Sequence, residues 1–314
     1  MLTYARLSLG RGFRPDRAFL YYAQRLIGLR IVRIALSSLI AAGVRILNGR
    51  SARTSPDSTR KRTLVELRRV GLARLQPLAA ATQIDAMVAY FRACRVMVDR
   101  KTSIPLDALD PTVAIAEYDL GAILGCPYLL ALVNAPAIIQ LAEAYLGCRP
   151  TLSSLGVRWT FPVEAAAARF QSYHRDIDDW RFLKLFIYLT PVTQGAGPHE
   201  YVLGSHLHSF GLRAKAYDRR ELEVRYGPEN LVAVTGPAGT TFVGDTIGIH
   251  RGGCPSSEPR LLLVAQYSIL PVFMFNYEPQ DPTWTPADVD AYCSRLFVRR
   301  NGAHSVSADG DASI

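Results

Sequence analysis

The sequence contains few cysteines, and their arrangement does not indicate a metal knuckle or a redox pair. None of the five forms a Cys-x-x-Cys pair, and they are scattered over the chain: Cys94, Cys126, Cys148, Cys254 and Cys293. No secretory signal is visible ahead of them, because arginines interrupt the apolar N-terminal stretch and a signal peptide carries charge only at its start. We therefore expect reduced thiols in a cytoplasmic protein.

Long charge-free apolar runs and nucleic-acid motifs are also missing. The N-terminal stretch YYAQRLIGLRIVRIALSSLIAAGVRILNGR has no charge-free run longer than the 11 residues from Ile34 to Val44, whereas a spanning helix needs about 20. No aromatic stacking platform accompanies its arginines, so nothing predicts binding to nucleic acid. We expect a small-molecule partner instead.

Acidic residues are rare in the first quarter of the chain. Residues 1–75 hold 16 Lys/Arg and three acidic residues, a net charge of +13, whereas the whole chain carries +9, so the remainder carries −4. Residues 1–62 are predicted to form a basic amphipathic helical extension that ends in the polar linker SARTSPDSTRKR, residues 51–62. Two interpretations stay open: the helix packs on the body with its arginines in water, or it lies peripherally on an anionic membrane.

The residue pattern changes from helical to β-prone near residue 150. Residues 63–150 read as helical support, and Gly147 is placed to end a helix. Residues 151–275 consist of short β-prone runs separated by Gly and Pro, which predicts a sandwich or barrel. Residues 276–314 are predicted to form a C-terminal helix, starting at Thr285 and Pro286, and a polar tail. The fold class is therefore mainly β with flanking helices (α+β), with one domain over 63–314.

His174 and Asp176 stand directly before the apolar run FLKLFIYLT. Residues i and i+2 of a strand point to the same face, so both side chains can enter one end of a barrel while Arg175 points away. An imidazole and a carboxylate so placed provide two ligands of the 2-His-1-carboxylate set that binds non-haem Fe(II). A His-x-Asp pair alone is a weak signal, because it is common by chance.

The third ligand has to come from a small group, because the chain has only six histidines. His250 closes the apolar strand TTFVGDTIGIH at the same rim and is the best candidate, although a lone strand-end histidine bonded to water is the alternative. A turn then reverses the chain, which brings Arg260 near the metal but deeper in the barrel, where a guanidinium suits a carboxylate. The remaining histidines indicate turn-bracing, solvated or loop roles: His199, His206, His208 and His304.

These segments resemble a known family. YHRDIDDWRFLKLFIYLTPV, GPHEYVLGSH and GTTFVGDTIGIHRGGCPSSEPR are similar to the phytanoyl-CoA dioxygenase family of Fe(II)/2-oxoglutarate-dependent oxygenases over roughly residues 63–275. The resemblance implies a double-stranded β-helix (a jelly-roll, cupin-like core). It implies that His174, Asp176 and His250 hold Fe(II) and that Arg260 anchors the C5 carboxylate of 2-oxoglutarate, with O2 as second co-substrate.

The resemblance also bears on the reaction. Related halogenases replace the acid of His-x-Asp with a small residue, so Asp176 favours hydroxylation or another oxidation, with release of succinate and CO2. Lys184 shares a strand face with two phenylalanines, where it contacts 2-oxoglutarate or a substrate anion, or else reaches the surface. Two rival functions stay open: a non-catalytic double-stranded β-helix used for binding or as a scaffold, and a cupin-like metal enzyme that uses no 2-oxoglutarate.

Overall fold

Two antiparallel sheets face each other and enclose the centre of the molecule. The computed structural model describes residues 3–49, 57–99, 101–163, 172–210, 216–282 and 289–299. The larger sheet has eight strands in the order β2-β10-β7-β12-β6-β5-β3-β4, and the smaller has the order β11-β8-β9. A short pair, β1 with β13, lies apart from both.

The strands are β1 (Thr3–Tyr4), β2 (Leu72–Leu75), β3 (Val96–Val98), β4 (Thr102–Ile104), β5 (Ile115–Glu117), β6 (Thr151–Thr160), β7 (Phe182–Tyr188), β8 (His199–Val202), β9 (Leu231–Val234), β10 (Thr241–Gly244), β11 (His250–Gly252), β12 (Arg260–Ser268) and β13 (Phe275–Asn276). The helices are α1 (Pro15–Leu26), α2 (Arg30–Asn48), α3 (Ser58–Val70), α4 (Ala81–Ala93), α5 (Leu120–Gly125), α6 (Leu129–Val133), α7 (Pro136–Leu146) and α8 (Arg219–Tyr226). This arrangement confirms the predicted jelly-roll with flanking helices.

Alternation along the central strands separates the outer core from the interior of the jelly-roll. On β7, Leu183, Leu185 and Ile187 pack with the helices on the outside of the large sheet. Phe186 and Tyr188 point the other way, into the space between the sheets. Because side chains alternate along a strand, Lys184 also points into that interior.

The helical support is more mixed than its sequence suggested. Residues 63–150 contain the predicted helices, and Gly147 ends α7 in the left-handed conformation at φ 87°, but they also add β2 to β5 to the large sheet. The predicted linker is wrong from residue 58 onward, because Asp57 accepts a hydrogen bond from the Thr59 amide and starts α3 there. Residues 51–56 lie outside the described residues.

The N-terminal extension packs on the body as two helices. They are separated at Gly28, where a Cβ would lie 2.0 Å from the carbonyl oxygen of Phe210, so only glycine allows this approach. Gln24 of α1 donates a hydrogen bond to Asp179 (3.0 Å), and Arg33 of α2 donates to the carbonyl oxygens of Asp179 and Trp180. The extension is thus part of the folded domain at these points.

Asp179 is the acceptor that joins the extension to the barrel. It is fully buried, and its carboxyl accepts hydrogen bonds from the amides of Trp180 (2.8 Å) and Leu270 (2.9 Å) as well as from Gln24. Burial raises the pKa of Asp179 to about 7 against the opposing effect of these donors. In the sequence, Asp178 and Asp179 are typical of a solvated acidic loop, but the structure contradicts this, because Asp178 also pairs with Lys184 (3.5 Å).

The C-terminal helix is replaced by turns where the chain is described. Its predicted start at Thr285 and Pro286 lies outside the described residues, and residues 291–297 form consecutive turns. Asp290 accepts hydrogen bonds from the amides of Tyr292 and Cys293, and such side-chain bonds compete with regular helix. Phe297 is nevertheless fully buried in the main core.

Asp179→Ala should destabilise the protein and loosen the extension. The substitution removes the acceptor of three donors, two of them backbone amides, and should lower the free energy of unfolding by about 3 kcal/mol. Asp179→Asn keeps one acceptor oxygen and should lower it by about 1 kcal/mol. Chemical denaturation measures both values, and limited proteolysis within residues 1–49 reports on the extension. Equal stability of the Ala variant and the wild type would contradict the role assigned to Asp179.

Candidate metal centre

A pair of backbone hydrogen bonds brings two histidines together from distant parts of the chain. The His174 amide donates to the His250 carbonyl and the His250 amide donates to the His174 carbonyl, both at 2.9 Å. Residues directly opposite in an antiparallel pair point to the same face, so the two rings lie side by side, with centroids 4.5 Å apart. Asp176 follows two residues later, and its amide donates to the Thr246 carbonyl at 2.8 Å.

In each histidine, the contact made by Nδ1 shows which ring nitrogen is left for a metal. His174 Nδ1 lies 3.0 Å from the carbonyl oxygen of Ser172, and His250 Nδ1 lies 2.9 Å from that of Gly248. A carbonyl oxygen can only accept, so both Nδ1 atoms carry a proton and Nε2 is the ring nitrogen left for a metal. Burial, followed by the neighbouring His250, lowers the pKa of His174, which keeps the ring neutral. Both rings are therefore prepared to ligate a metal through Nε2.

Three ligand atoms converge on one point. His174 Nε2 lies 3.7 Å from Asp176 Oδ1, and His250 Nε2 lies 3.2 Å from Asp176 Oδ2. The three potential ligand atoms all fall within 4.8 Å of one another. Ligands about 2.1 Å from a metal and at right angles to each other lie about 3 Å apart, so this set fits one face of an octahedral ion. Two nitrogen donors and one carboxylate oxygen suit non-haem Fe(II).

Lys184 neutralises the carboxylate of this set. Its Nζ lies 2.6 Å from Asp176 Oδ2 and 3.5 Å from Asp178 Oδ2. Burial opposes ionisation of Asp176, but Lys184 holds its pKa well below the usual range. Burial alone would also lower the pKa of Lys184, and the two aspartates instead raise it. The pair is ionised, so Lys184 orients the carboxylate ligand.

Arg260 lies deeper in the same cavity, as its place after the turn predicts. It is the first residue of β12, is only 1% exposed, and donates a hydrogen bond to the Gly197 carbonyl. Burial lowers its pKa to about 10, so the guanidinium is still protonated at neutral pH. Its Nε is buried without a hydrogen-bond partner among the described residues, which leaves a donor for a ligand carboxylate.

The cavity around these side chains has a volume of about 270 Å³. Its polar lining includes the three candidate ligands together with Lys184 and Arg260, and apolar side chains complete the wall: Leu120, Ile123, Leu155, Val157, Phe186, Leu262, Val264 and Phe275. All five predicted site residues therefore line one cavity.

Sequence reasoning missed several polar residues in this cavity, among them His199, Arg158 and Glu117. His199 faces it from the start of β8; its ring centroid lies 5.4 Å from that of His250, and its Nε2 is buried without a partner in the described part of the chain. Arg158 of β6 stands opposite Glu117 of β5, and its Nε is likewise buried and unpartnered among the described residues. The alternation of His199 with Tyr201 along β8 was the available signal for His199, which had been assigned to a loop.

The other histidines near this region lie outside the cavity. His206 Nε2 contacts the Arg68 carbonyl at 3.2 Å, so it joins its turn to α3. His208 is exposed at the surface. Neither lines the cavity with the candidate ligands.

Comparison with known proteins agrees with this geometry. The family model described as phytanoyl-CoA dioxygenase (PhyH) matches residues 67–260, more than half of the chain. A search of curated protein sequences returned no match.

Solved structures share the fold at low identity. The non-heme alpha ketoglutarate dependent epimerase SnoN from nogalamycin biosynthesis aligns with a TM-score of 0.53 at 22% identity, over 67% of this chain and 83% of SnoN. SnoN in complex with Fe³⁺, alpha ketoglutarate and nogalamycin RO gives a TM-score of 0.51 at 22% identity, over 67% and 84%. The carbocyclase SnoK from the same biosynthesis gives 0.51 at 20% identity, over 69% and 87%.

Removal of any one candidate ligand should weaken metal binding strongly. His174→Ala, Asp176→Ala and His250→Ala should each lower the affinity for Fe(II), or for Mn(II) as its stand-in, by at least about 100-fold, because loss of an outer-shell partner alone costs 10- to 100-fold. Anaerobic calorimetric titration measures the change. His208→Ala is the matched control and should bind as the wild type does, and a ligand variant that also binds normally would disprove its assignment.

Proposed function

The chain belongs to the phytanoyl-CoA dioxygenase family of Fe(II)/2-oxoglutarate-dependent oxygenases, and we propose that it hydroxylates a C–H bond of a small-molecule or acyl-type substrate. The observation that carries the proposal is the meeting of His174, Asp176 and His250 with Arg260 in one cavity. A scaffold protein would have no need for two oriented imidazoles beside an ionised carboxylate. A metal enzyme without 2-oxoglutarate would have no need for Arg260, a cation buried to 1% exposure.

The three ligands would hold Fe(II), and the remaining coordination positions would face the cavity. When bound, the iron with 2-oxoglutarate and O2 supplies an oxidant for unactivated C–H bonds and releases succinate and CO2. Asp176 as the third ligand favours transfer of oxygen to the substrate, because no coordination position is freed for a halide.

Arg260 is the proposed anchor for the far carboxylate of 2-oxoglutarate. A buried guanidinium binds a carboxylate through charge-assisted, bidentate hydrogen bonds, and Nε is available for one of them. His199 lies on the same face as His250, since it pairs with Gly252 across β8 and β11. Burial, His250 and Arg260 hold the pKa of His199 well below its usual range. A neutral His199 then provides one further hydrogen bond for the co-substrate.

The cavity wall separates the reaction from water. Leu262 and Val264 of β12, with Phe186 of β7, form an apolar lining next to Lys184 and the ligands. Exclusion of water strengthens the attraction between Arg260 and an anion, and it protects a reactive intermediate from side reactions. The substrate has to fit this lining with its target carbon next to the metal.

Arg260→Ala should weaken binding of 2-oxoglutarate while metal binding stays close to the wild-type level. Loss of one partner of a buried charge pair costs about 2–5 kcal/mol, which corresponds to an affinity loss of at least about 30-fold. Titration with 2-oxoglutarate in the presence of Mn(II) measures both constants. Lys184→Met is the comparison: contact of Lys184 with the co-substrate stays a prediction, and if this variant loses 2-oxoglutarate while Arg260→Ala does not, the two assignments must be exchanged.

The reaction outcome is tested by product mass. Turnover with Fe(II), 2-oxoglutarate and candidate substrates should give succinate together with a product that has gained one oxygen atom from O2. SnoN is an epimerase and SnoK a carbocyclase, so the competing outcomes are an unchanged mass and a loss of two hydrogen atoms. Either of these outcomes, coupled to stoichiometric succinate, would replace hydroxylation as the assigned reaction.

A further inference from the structure

Helix α2 presents large apolar side chains to water, while its buried side includes an arginine and a serine beside Ala41. Arg33 and Ser37 are 5% and 1% exposed, whereas Ile31, Leu39 and Ile46 are 82%, 71% and 82% exposed. Helices on the surface of globular proteins normally show the opposite distribution. The spacing of the three exposed residues places them on one side of the helix, so they form a continuous apolar stripe.

The buried side of α2 fixes this orientation. The Arg33 guanidinium donates to the carbonyl oxygens of Gln24 (2.6 Å), Ile27 (3.1 Å), Asp179 (2.6 Å) and Trp180 (3.3 Å). Burial lowers the pKa of Arg33 to about 10, so the group is still charged at neutral pH. Rolling the helix to hide its apolar stripe would strip a buried cation of its partners, which is costly. The outward direction of the stripe is therefore built into the fold.

The apolar surface continues onto α1. Phe19, Tyr22 and Leu26 recur at intervals of three and four residues and are 74%, 48% and 55% exposed, and Leu29 between the helices is 65% exposed. A monomeric protein rarely exposes a contiguous surface of this kind unless something binds there. We call the exposed side chains of α1 and α2 together the apolar face.

Positive charge borders the apolar face. Arg30 and Arg45, near the two ends of α2, are both exposed. Among residues 3–49 the only acidic side chain is Asp16, which pairs with Arg14 at 3.1 Å. A partner that combines apolar depth with negative charge complements this surface, as an anionic bilayer does. A second copy of the chain would instead bring its own arginines against these, which disfavours self-association through the apolar face.

We propose that α2, together with α1, docks the protein on an anionic lipid bilayer by lying in the interface. The stretch Arg30–Asn48 is long and apolar enough to cross a membrane and is only 17% buried; Leu129–Leu146 passes the same test but is 61% buried in the core. Crossing would pull Arg33 away from its four carbonyl partners, whereas docking leaves them in place. The interfacial orientation therefore uses the outward stripe without opening the domain.

The docking segment also reaches the catalytic cavity. Tyr4 of β1 lines the cavity wall, β1 pairs with β13, and Arg17 of α1 donates to the carbonyl oxygen of Phe275 at 3.1 Å. Deletion of the extension would thus remove part of the cavity, so point substitutions on the outward stripe are the appropriate test.

The experiment is co-sedimentation of the full chain with vesicles that contain equal amounts of phosphatidylglycerol and phosphatidylcholine, and with pure phosphatidylcholine vesicles. The wild type should bind the anionic vesicles, and binding should fall at high salt, because exposed charges are screened over about 8 Å at physiological ionic strength. Leu39→Asp should weaken binding about tenfold or more, as expected when one buried leucine is lost from the interface. Arg30→Gln combined with Arg45→Gln should weaken it without affecting succinate formation.

Val224→Asp is the matched control, since Val224 of α8 is 85% exposed and lies outside the apolar face. It should bind as the wild type does, and all variants should keep the wild-type melting temperature because the altered residues are exposed. Equal binding of Leu39→Asp and wild type, or equal binding to both vesicle types, would overturn the proposal. Retention of the protein in the membrane pellet after alkaline carbonate would show a crossing helix. A dimer that Leu39→Asp dissociates, in a protein that does not bind vesicles, would show self-association. Either result would also overturn the proposal.

Discussion

The reciprocal backbone hydrogen bonds between His174 and His250 are the constraint on which the site depends. They close one end of the jelly-roll, where a segment before β7 meets the first residue of β11. Because the pairing fixes both Cα positions and side-chain directions, it sets the two imidazoles at one spacing, and strand geometry then adds Asp176 to the same side. A shift of this pairing by one residue would turn a histidine out of the cavity.

Charge balance then determines what this cavity can hold. Asp176 and Lys184 form an ionised pair, whereas Arg260 lies buried with an Nε that has no partner among the residues that the structure describes. A buried charge with an unfilled bonding position is costly in an isolated protein, and a dicarboxylate bound between the metal and Arg260 would offset that cost. The ligand histidines are oriented by backbone carbonyls, which hold a proton at Nδ1 and leave Nε2 to face the metal.

The parts of this account that follow from local periodicity were predictable from the sequence. His174, Asp176, His250 and Arg260 stand at strand ends beside clear turn signals, and the β-rich texture after residue 150 indicated the jelly-roll. His199 escaped prediction because a Gly-Pro loop precedes it and the strand it begins is short. Asp179 looked like a loop acid because its partners come from the remote segments that contain Gln24 and Leu270. The burial of Arg33 in α2 depends on the carbonyl groups of residues 179 and 180. No helical pattern in residues 30–48 could reveal those partners.

If one cavity binds iron and 2-oxoglutarate together, the complex should be visible in the anaerobic absorption spectrum. A 2-oxo acid chelated to Fe(II) gives a weak charge-transfer band that neither component gives alone. We expect this band only when protein, Fe(II) and 2-oxoglutarate are all present. Its intensity should saturate at one 2-oxoglutarate per chain. Folded protein that binds Fe(II) but shows no band at saturating 2-oxoglutarate would contradict binding of the two in one cavity.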